Sequence, residues 1–294
     1  MTEVGAAVVN YNTRDHLLRC VASLRAAGIE EVVVADNAST DGSGEALTAA
    51  DPDAVLVRTG ANLGFGTAAN RAVAATSAPY VLILNPDTVV EPGAAGGLAA
   101  ALDRDGDLAL VGPRVERPDG ARYPSVRRFP DLVTAAGHAF LGLVWPGNRF
   151  TRRYRMLDTD PDEDAGRSGG TADVDWVSGT AMLARRSAFD AVGGFDERYF
   201  MYVEDVDLCW RLRRAGWRVG YVPGARVAHS IGAASQLAPY RMIAAHHRSL
   251  LRFAVTTTSG WRRGLLPVVA AGLGIRTLAA WIRHRLDGVA PAAR

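Results

Sequence analysis

Apolar residues fall along this chain in short runs, each closed by a polar turn. Residues 4–9, 31–35, 54–58 and 80–84 read as strands, and the unbroken run Val81-Leu82-Ile83-Leu84 reads as a strand buried on both faces. Between them, residues 14–27, 45–50 and 67–76 are expected to be helices. Four strands alternating with helices predict right-handed βαβ units and a parallel sheet. Further on, residues 93–103 predict a helix and 108–111 a strand, and Arg117-Pro118-Asp119-Gly120 is a hairpin-type turn. Residues 175–183 read as a strand, a glycine break and another strand. From Val203 the apolar spacing is helical, and two short strands follow at 218–222 and 226–229. Residues 158–170 are acidic and glycine-rich with few apolar positions. That predicts a mobile loop, either closing over a substrate or simply lying on the surface.

Beyond about residue 237 the pattern is helical and basic. The apolar run 265–275 would reach only about 16 Å as a helix, against roughly 30 Å of bilayer core. Flanking arginines and tryptophans suit a helix lying at a membrane interface, and equally one packed on the catalytic domain or on a second subunit. The expected organisation is one α/β domain over 1–235, with halves at 1–112 and 113–235, then a helical basic extension over 236–294.

The chain has 294 residues, 48% hydrophobic and 22% charged, which is ordinary for a globular protein. A net charge of +2 gives no reason to expect a nucleic-acid partner. All 33 basic residues are arginine, a side chain suited to phosphates. Cys20 and Cys209 have neither zinc-site spacing nor a disulfide framework, and the first residues carry no signal-peptide pattern. Both observations predict a reducing cytoplasm.

The candidate chemistry sits at the ends of the strands. Asn10, Asp36 and Asn85 each open a polar turn after a strand, so a parallel sheet would bring them to one crevice, where open α/β sheets bind ligands. No G-x-G-x-x-G follows the first strand, so the dinucleotide fingerprint is absent. Asp36 is suited either to accepting from a base or ribose or to capping its turn. Asp87, just past Pro86, suits a divalent cation with phosphates on its far side, or an Asx-turn. Glu204, Asp205 and Asp207 fall in the first turns of a helix, where the dipole favours carboxylates, and three acids exceed what a cap needs. Beside aromatic residues, one of them could be a general base. His229 is either structural or a metal ligand.

Taken in order, these stretches resemble glycosyltransferase family 2, and more narrowly its bacterial rhamnosyltransferase-type members. The resemblance rests on Val8-Val9-Asn10-Tyr11-Asn12, on Asp36-Asn37-Ala38-Ser39-Thr40-Asp41-Gly42, and on Asn62-Leu63-Gly64-Phe65-Gly66 with Asn70. It continues through Asn85-Pro86-Asp87, Gly193-Gly194-Phe195-Asp196-Glu197, Glu204-Asp205-Val206-Asp207-Leu208 and His229. It implies a GT-A fold and an inverting transfer from a nucleotide sugar, with dTDP-L-rhamnose the first choice of donor, to a glycan or polyprenyl-diphosphate-linked glycan. Asp205 would be the catalytic base, supported by Glu204. Asp87 and His229 would hold Mg²⁺ or Mn²⁺. Asn10, Asn12, Asp36, Asn37, Asn62, Gly64, Asn70, Asn85 and Asp87 would surround the nucleotide, and Trp176, Gly179 and Asp207 the acceptor. Where the metal-binding motif usually opens with Asp, this chain has Asn85, a neutral and weaker ligand, which fits a bond to ribose or phosphate better. Contact with the inner face of the plasma membrane and a homodimer are both compatible with the C-terminal helices.

Two other classes fit the residues less well. A sugar-phosphate nucleotidylyltransferase would need a glycine-rich basic loop after the first strand, and Asn10-Tyr11-Asn12-Thr13-Arg14 is not one. A non-catalytic scaffold would have no need of Asp87, Asp205 and His229 together. A UDP-sugar donor stays open within the first class.

Overall fold

The computed structural model describes residues 3–129, 145, 147–154, 160–230 and 239–287. The first half alternates as expected: β1 (Val4–Asn10), α1 (Arg14–Ala26), β2 (Glu31–Asp36), α2 (Ser43–Ala50), β3 (Val55–Arg58), α3 (Phe65–Ala74) and β4 (Tyr80–Leu84). Next come β5 (Thr88–Val90), α4 (Ala94–Arg104), β6 (Leu108–Glu116), β7 (Val126–Arg127), α5 (Arg149–Tyr154), α6 (Pro161–Arg167) and β8 (Ala172–Asp173). Then follow β9 (Trp176–Val177), β10 (Ala181–Arg185), α7 (Arg186–Ala191), α8 (Glu204–Arg214), β11 (Arg218–His229), α9 (Pro239–Thr257) and α10 (Leu266–Asp287).

One sheet runs in the order β3-β2-β1-β4-β10-β6-β11-β5, with β8 on β11. The pairs β1–β2, β2–β3, β1–β4 and β6–β11 are parallel. β10 enters antiparallel between β4 and β6, so the sheet is mixed, which the βαβ pattern of the first half did not predict. Alternate residues of β4 serve opposite cores. Val81 and Ile83 join α3, α7, α8 and Phe253 of α9 on one face, while Tyr80, Leu82 and Leu84 join α1, α2 and α4 on the other. That is the doubly covered strand expected of the apolar run. Register then gathers the chemistry: Asn10 pairs with Asp36, Val8 with Leu84, and His229 with Thr88. The carboxyl ends of β1, β2, β4 and β11 therefore meet at one edge.

Three expectations are corrected. Residues 160–170 do not form a loose loop. Pro161–Arg167 is a helix, capped by the Asp160 side chain accepting from the Asp162 amide, with proline in the first turn. Asp162 fastens it, accepting from Arg114 Nη1 and Tyr221 Oη, each at 2.7 Å. Few apolar residues were needed because charge-assisted bonds hold the segment. None of residues 160–170 lines the cleft described below. Second, the two strands at 218–222 and 226–229 are one strand, β11, broken in register between Val222 and Arg226. Third, the apolar run 265–275 falls, from Leu266 on, within a 22-residue helix, α10, about 33 Å long at 1.5 Å per residue. By length and composition alone residues 260–282 could cross a membrane. Residues 231–238, which follow His229 and Ser230, lie outside the described residues, as do residues 158 and 159 of the acidic segment.

Both cysteines are buried and unpaired, and burial pushes each thiol up to about 12. Neither is a reactive thiolate at neutral pH.

Candidate active site

A cleft of about 720 Å³ opens at the strand ends. Among the expected residues it is lined by Asn37, Asn62, Gly64, Asn85, Asp87, Trp176, Gly179, Glu204, Asp205 and His229. Two loops and two turns bring them there.

Asp87 leaves β4 through a tight turn. The Asn85 amide donates to Thr180 O at 3.0 Å, and Thr88 Oγ1 donates to Asn85 O at 2.7 Å. His229, the last residue of β11, comes alongside because β11 pairs antiparallel with β5. The Ser230 amide donates to Asp87 O at 2.9 Å and locks the two segments. His229 Nε2 then lies 3.1 Å from Asp87 Oδ1, with both side chains under 10% exposed. The pair is out of line for a hydrogen bond. Asp87 Oδ1 and His229 Nδ1 are buried without a hydrogen-bond partner among the described residues. Such orphaned polar atoms are costly unless something else satisfies them. A carboxylate oxygen facing an imidazole nitrogen fits a divalent cation. Among the described residues no third His, Cys, Asp or Glu joins them, so those residues offer two ligands and an open side. Tyr123 packs edge-on against the His229 ring, with centroids 5.6 Å apart, and fixes its plane.

The acidic site is built by backbone strain. Tyr202 and Val203 both have positive φ, 64° and 71°. For a β-branched residue this is a true outlier, and each such residue costs about 1–3 kcal/mol. The sharp turn delivers Glu204 and Asp205 to the cleft at the start of α8. Asp205 Oδ2 accepts from the Gly179 amide at 2.9 Å and Oδ1 from the Val206 amide at 2.8 Å. Burial raises the Asp205 carboxyl above the usual aspartate range. The two amide bonds and the Arg127 guanidinium oppose that rise. Burial, and then the charge of Asp205, push Glu204 well up, and its Oε2 has no hydrogen-bond partner among the described residues. The two neighbouring acids therefore differ: Asp205 is the one held by donors, and Glu204 is the one pushed further toward its neutral form.

Gly64 makes the join between the Asn62–Gly66 loop and the acidic turn. Its φ is +87°, and a Cβ there would lie 2.0 Å from Phe200 O. Only glycine lets the two backbones approach so closely, and the Phe65 amide then donates to Phe200 O at 3.1 Å. Asn37 braces the same loop, donating to Asn62 Oδ1 and Gly64 O and accepting from the Leu63 amide.

Five expected residues do not line the cleft. Asn10 is fully buried, with its amide donating to Asp36 Oδ1 and Ser39 Oγ. Asp36 sits behind it and keeps Oδ2 for a long bond from the Ser39 amide, 3.4 Å. Asn12, at φ 51°, accepts from the Thr40 amide. Asn70 holds both the N–H and the C=O of Phe195, each at 2.9 Å. Asp207 is taken up by Arg211 Nε at 2.6 Å and Tyr199 Oη. Sequence reasoning read polar residues at strand ends as ligand contacts, and several of them instead shape the turns that others use. It also missed Tyr123, Ser178, Thr180, Arg127 and His246, all of which line the cleft. Arg127 stood in a stretch notable for its arginines and aromatics. Tyr123 and His246 carried no signal, because only tertiary packing brings them here.

Residues 6–192 match the model of the family described as Glycosyl transferase family 2. Over 280 residues the chain is 42% identical to the N-acetylglucosaminyl-diphospho-decaprenol L-rhamnosyltransferase of Mycobacterium tuberculosis strain H37Rv, covering 90% of this chain and 89% of that protein. It is 55% identical over 56 residues to rhamnosyltransferase WbbL of Escherichia coli K12, covering 19% of this chain and 21% of that one. Among solved structures it resembles the mannosyltransferase PcManGT of Pyrobaculum calidifontis in complex with GDP-Man and Mn²⁺. That match has a TM-score of 0.60 at 18% identity, covering 99% of this chain and 76% of that one.

Proposed function

The chain belongs to glycosyl transferase family 2 and has its GT-A fold, and we propose that it moves L-rhamnose from dTDP-L-rhamnose to a sugar carried on polyprenyl diphosphate. The carrying observation is the 42% identity to a decaprenyl-diphosphate-linked rhamnosyltransferase over nearly the full length of both chains. The cleft contains the groups such a transfer needs.

Asn37 lines the nucleoside end of the cleft, and Asp36 is buried behind it. Asn10 occupies Asp36 Oδ1 and the Ser39 amide makes only a long bond to Oδ2, so Oδ2 is the atom to accept from the imide N–H of a base inserted to that depth. Asn62, Gly64 and Asn85 line the path toward the phosphates. Asp87 and His229 fit a divalent cation, Mg²⁺ or Mn²⁺, which when bound supplies charge neutralisation for a departing diphosphate. Asp205 accepts the proton of the acceptor hydroxyl as its oxygen forms the new bond to the anomeric carbon. The bond from that carbon to the diphosphate oxygen breaks and takes its electron pair with it. One displacement inverts the anomer. Amide donors on both oxygens of Asp205 hold its orientation, and burial makes it a better base than a free aspartate. Trp176, whose Nε1 is anchored on Arg128 O at 3.1 Å, offers its ring as a wall for the acceptor sugar. Such a reaction belongs at the cytoplasmic face of the membrane that holds the acceptor.

Titration calorimetry tests the donor assignment. With Mn²⁺ present, dTDP and dTDP-rhamnose are expected to bind at least tenfold more tightly than the UDP and GDP counterparts, and removing the metal should weaken binding at least tenfold. Asp87→Ala should erase the metal dependence and leave the weak metal-free affinity in place. A preference for UDP would replace the donor. Equal binding with and without metal would remove Asp87 from its role.

A further inference from the structure

Beside the cleft lies a second groove of about 980 Å³, between α9, α10 and the Arg198–Phe200 turn. The two cavities share Phe200 and Arg241 in their walls, so they adjoin. Helix α9 walls both. On the cleft side, His246 meets Tyr202 of the strained turn with ring centroids 5.3 Å apart. On the other side, Arg241, Arg248 and Arg252 reach the groove from one face of α9. Their spacing of seven and four residues spans about 16 Å of helix. Among the described residues, none of the three has a carboxylate within ion-pair reach; Arg252 touches only the Tyr199 ring, at 5.9 Å. Arg198, by contrast, is already paired with Asp196 at 2.6 Å. Ala244, Leu251, Val255 and Trp281 give the groove apolar walls, with Ser249 and Thr256 between them. Trp281 is fixed there by Nε1 donating to Tyr240 O at 3.3 Å. Past the groove α10 leaves Val268, Ile275 and Leu278 58–68% exposed.

Three arginines in a row without counter-charge call for a ligand with several negative oxygens. An apolar lining and an exposed apolar helix call for a hydrocarbon chain. A groove adjoining the cleft suits a ligand whose far end reacts at Asp205. We propose that this groove binds the diphosphate and first isoprene units of the lipid-linked acceptor, with Arg241, Arg248 and Arg252 on the phosphates. The acceptor sugar then extends past Arg241 and Phe200 to Asp205. This rests on the acceptor reading above and assigns it a site.

The test is steady-state transfer in neutral detergent micelles, using N-acetylglucosaminyl-diphospho-decaprenol and an alkyl glycoside of the same sugar that lacks the diphosphate. Wild-type turnover of the decaprenyl acceptor comes first. Its absence would overturn the acceptor reading and this site with it, before any variant is compared. Given turnover, Arg248→Ala is expected to raise the acceptor KM about tenfold and Arg248→Ala/Arg252→Ala about a hundredfold, on the scale of one lost charge-assisted bond each. The kcat and the donor KM should stay within about twofold. Arg248→Lys should recover most of the loss, and the penalty should nearly vanish on the diphosphate-free glycoside. An unchanged KM in the double variant, or an equal rise on both acceptors, overturns the site. So does a loss seen only on anionic vesicles and absent in neutral micelles, which would assign these arginines to the bulk membrane surface.

Discussion

Asp205→Asn is expected to lower kcat by about a thousandfold, within the range of 10² to 10⁴ for a general base, while nucleotide affinity stays within a few-fold. The side chain keeps its shape, so the cleft is preserved, but its proton-accepting oxygen is lost. Some of the loss is orientational. Both carboxylate oxygens of Asp205 now accept from amides, those of Gly179 and Val206. An asparagine must point its NH₂ at one of these donors and leave it unpaired. The pH profile carries the same assignment. Burial raises the Asp205 carboxyl, so its basic form is lost as pH falls through a value above that of a free aspartate, and activity should fall at a correspondingly higher pH. Glu204→Gln supplies the contrast. Burial and the charge of Asp205 already hold Glu204 toward its neutral form, and glutamine imitates that form, so kcat should fall by less than about tenfold. Full turnover in Asp205→Asn, or a larger loss in Glu204→Gln than in Asp205→Asn, would exchange the roles of the two acids.

How far the sequence could be read differs between the halves of the molecule. The first half was legible because β1, β2 and β4 are covered on both faces. Burial there leaves unbroken apolar runs, and polar turns mark where they end. Asp87 was legible for the same reason, since Pro86 stops β4 and the carboxylate follows. Its meeting with His229 was not derivable from pattern. It depends on β11, far along the chain, running parallel to β6 and antiparallel to β5, and only resemblance suggested it. The helix Pro161–Arg167 escaped because Asp162 is held by arginine and tyrosine rather than by apolar packing. Asn70 and Asp207 misled for a related reason. A polar residue in a motif can serve a ligand or a backbone, and one sequence does not separate the two. Here Asn70 grips the Phe195 backbone, which follows the Gly193-Gly194 turn.

Gly64→Ala is expected to be the most damaging change outside the acids. It should reduce kcat/KM by at least about a hundredfold, the cost of misplacing a reacting group by about 1 Å, and lower Tm by several degrees. Two separate effects combine. At φ +87° and ψ 172° the backbone lies in a region open almost only to glycine, so any side chain adds about 1–3 kcal/mol of strain. The new Cβ would also fall 2.0 Å from Phe200 O and 2.7 Å from its carbonyl carbon. Those are backbone atoms and cannot rotate away. The Phe200–Val203 turn would have to move, and the Phe65 amide would lose its acceptor. That turn already carries two residues at positive φ, Tyr202 and Val203, and it delivers Glu204 and Asp205. A turn held in strain by a neighbouring loop relaxes when the loop is pushed off, so the displacement would reach the base directly. Gly28→Ala isolates the strain from the clash. Gly28 has φ +80°, and a Cβ added there would meet nothing within 4 Å, so this variant should lose stability to a similar degree and keep its activity. If Gly64→Ala lost no more activity than Gly28→Ala, the contact between the Asn62–Gly66 loop and Phe200 would not be what positions Asp205. A loss confined to Gly64→Ala would mean that this glycine sets the geometry of Asp205, the proposed base.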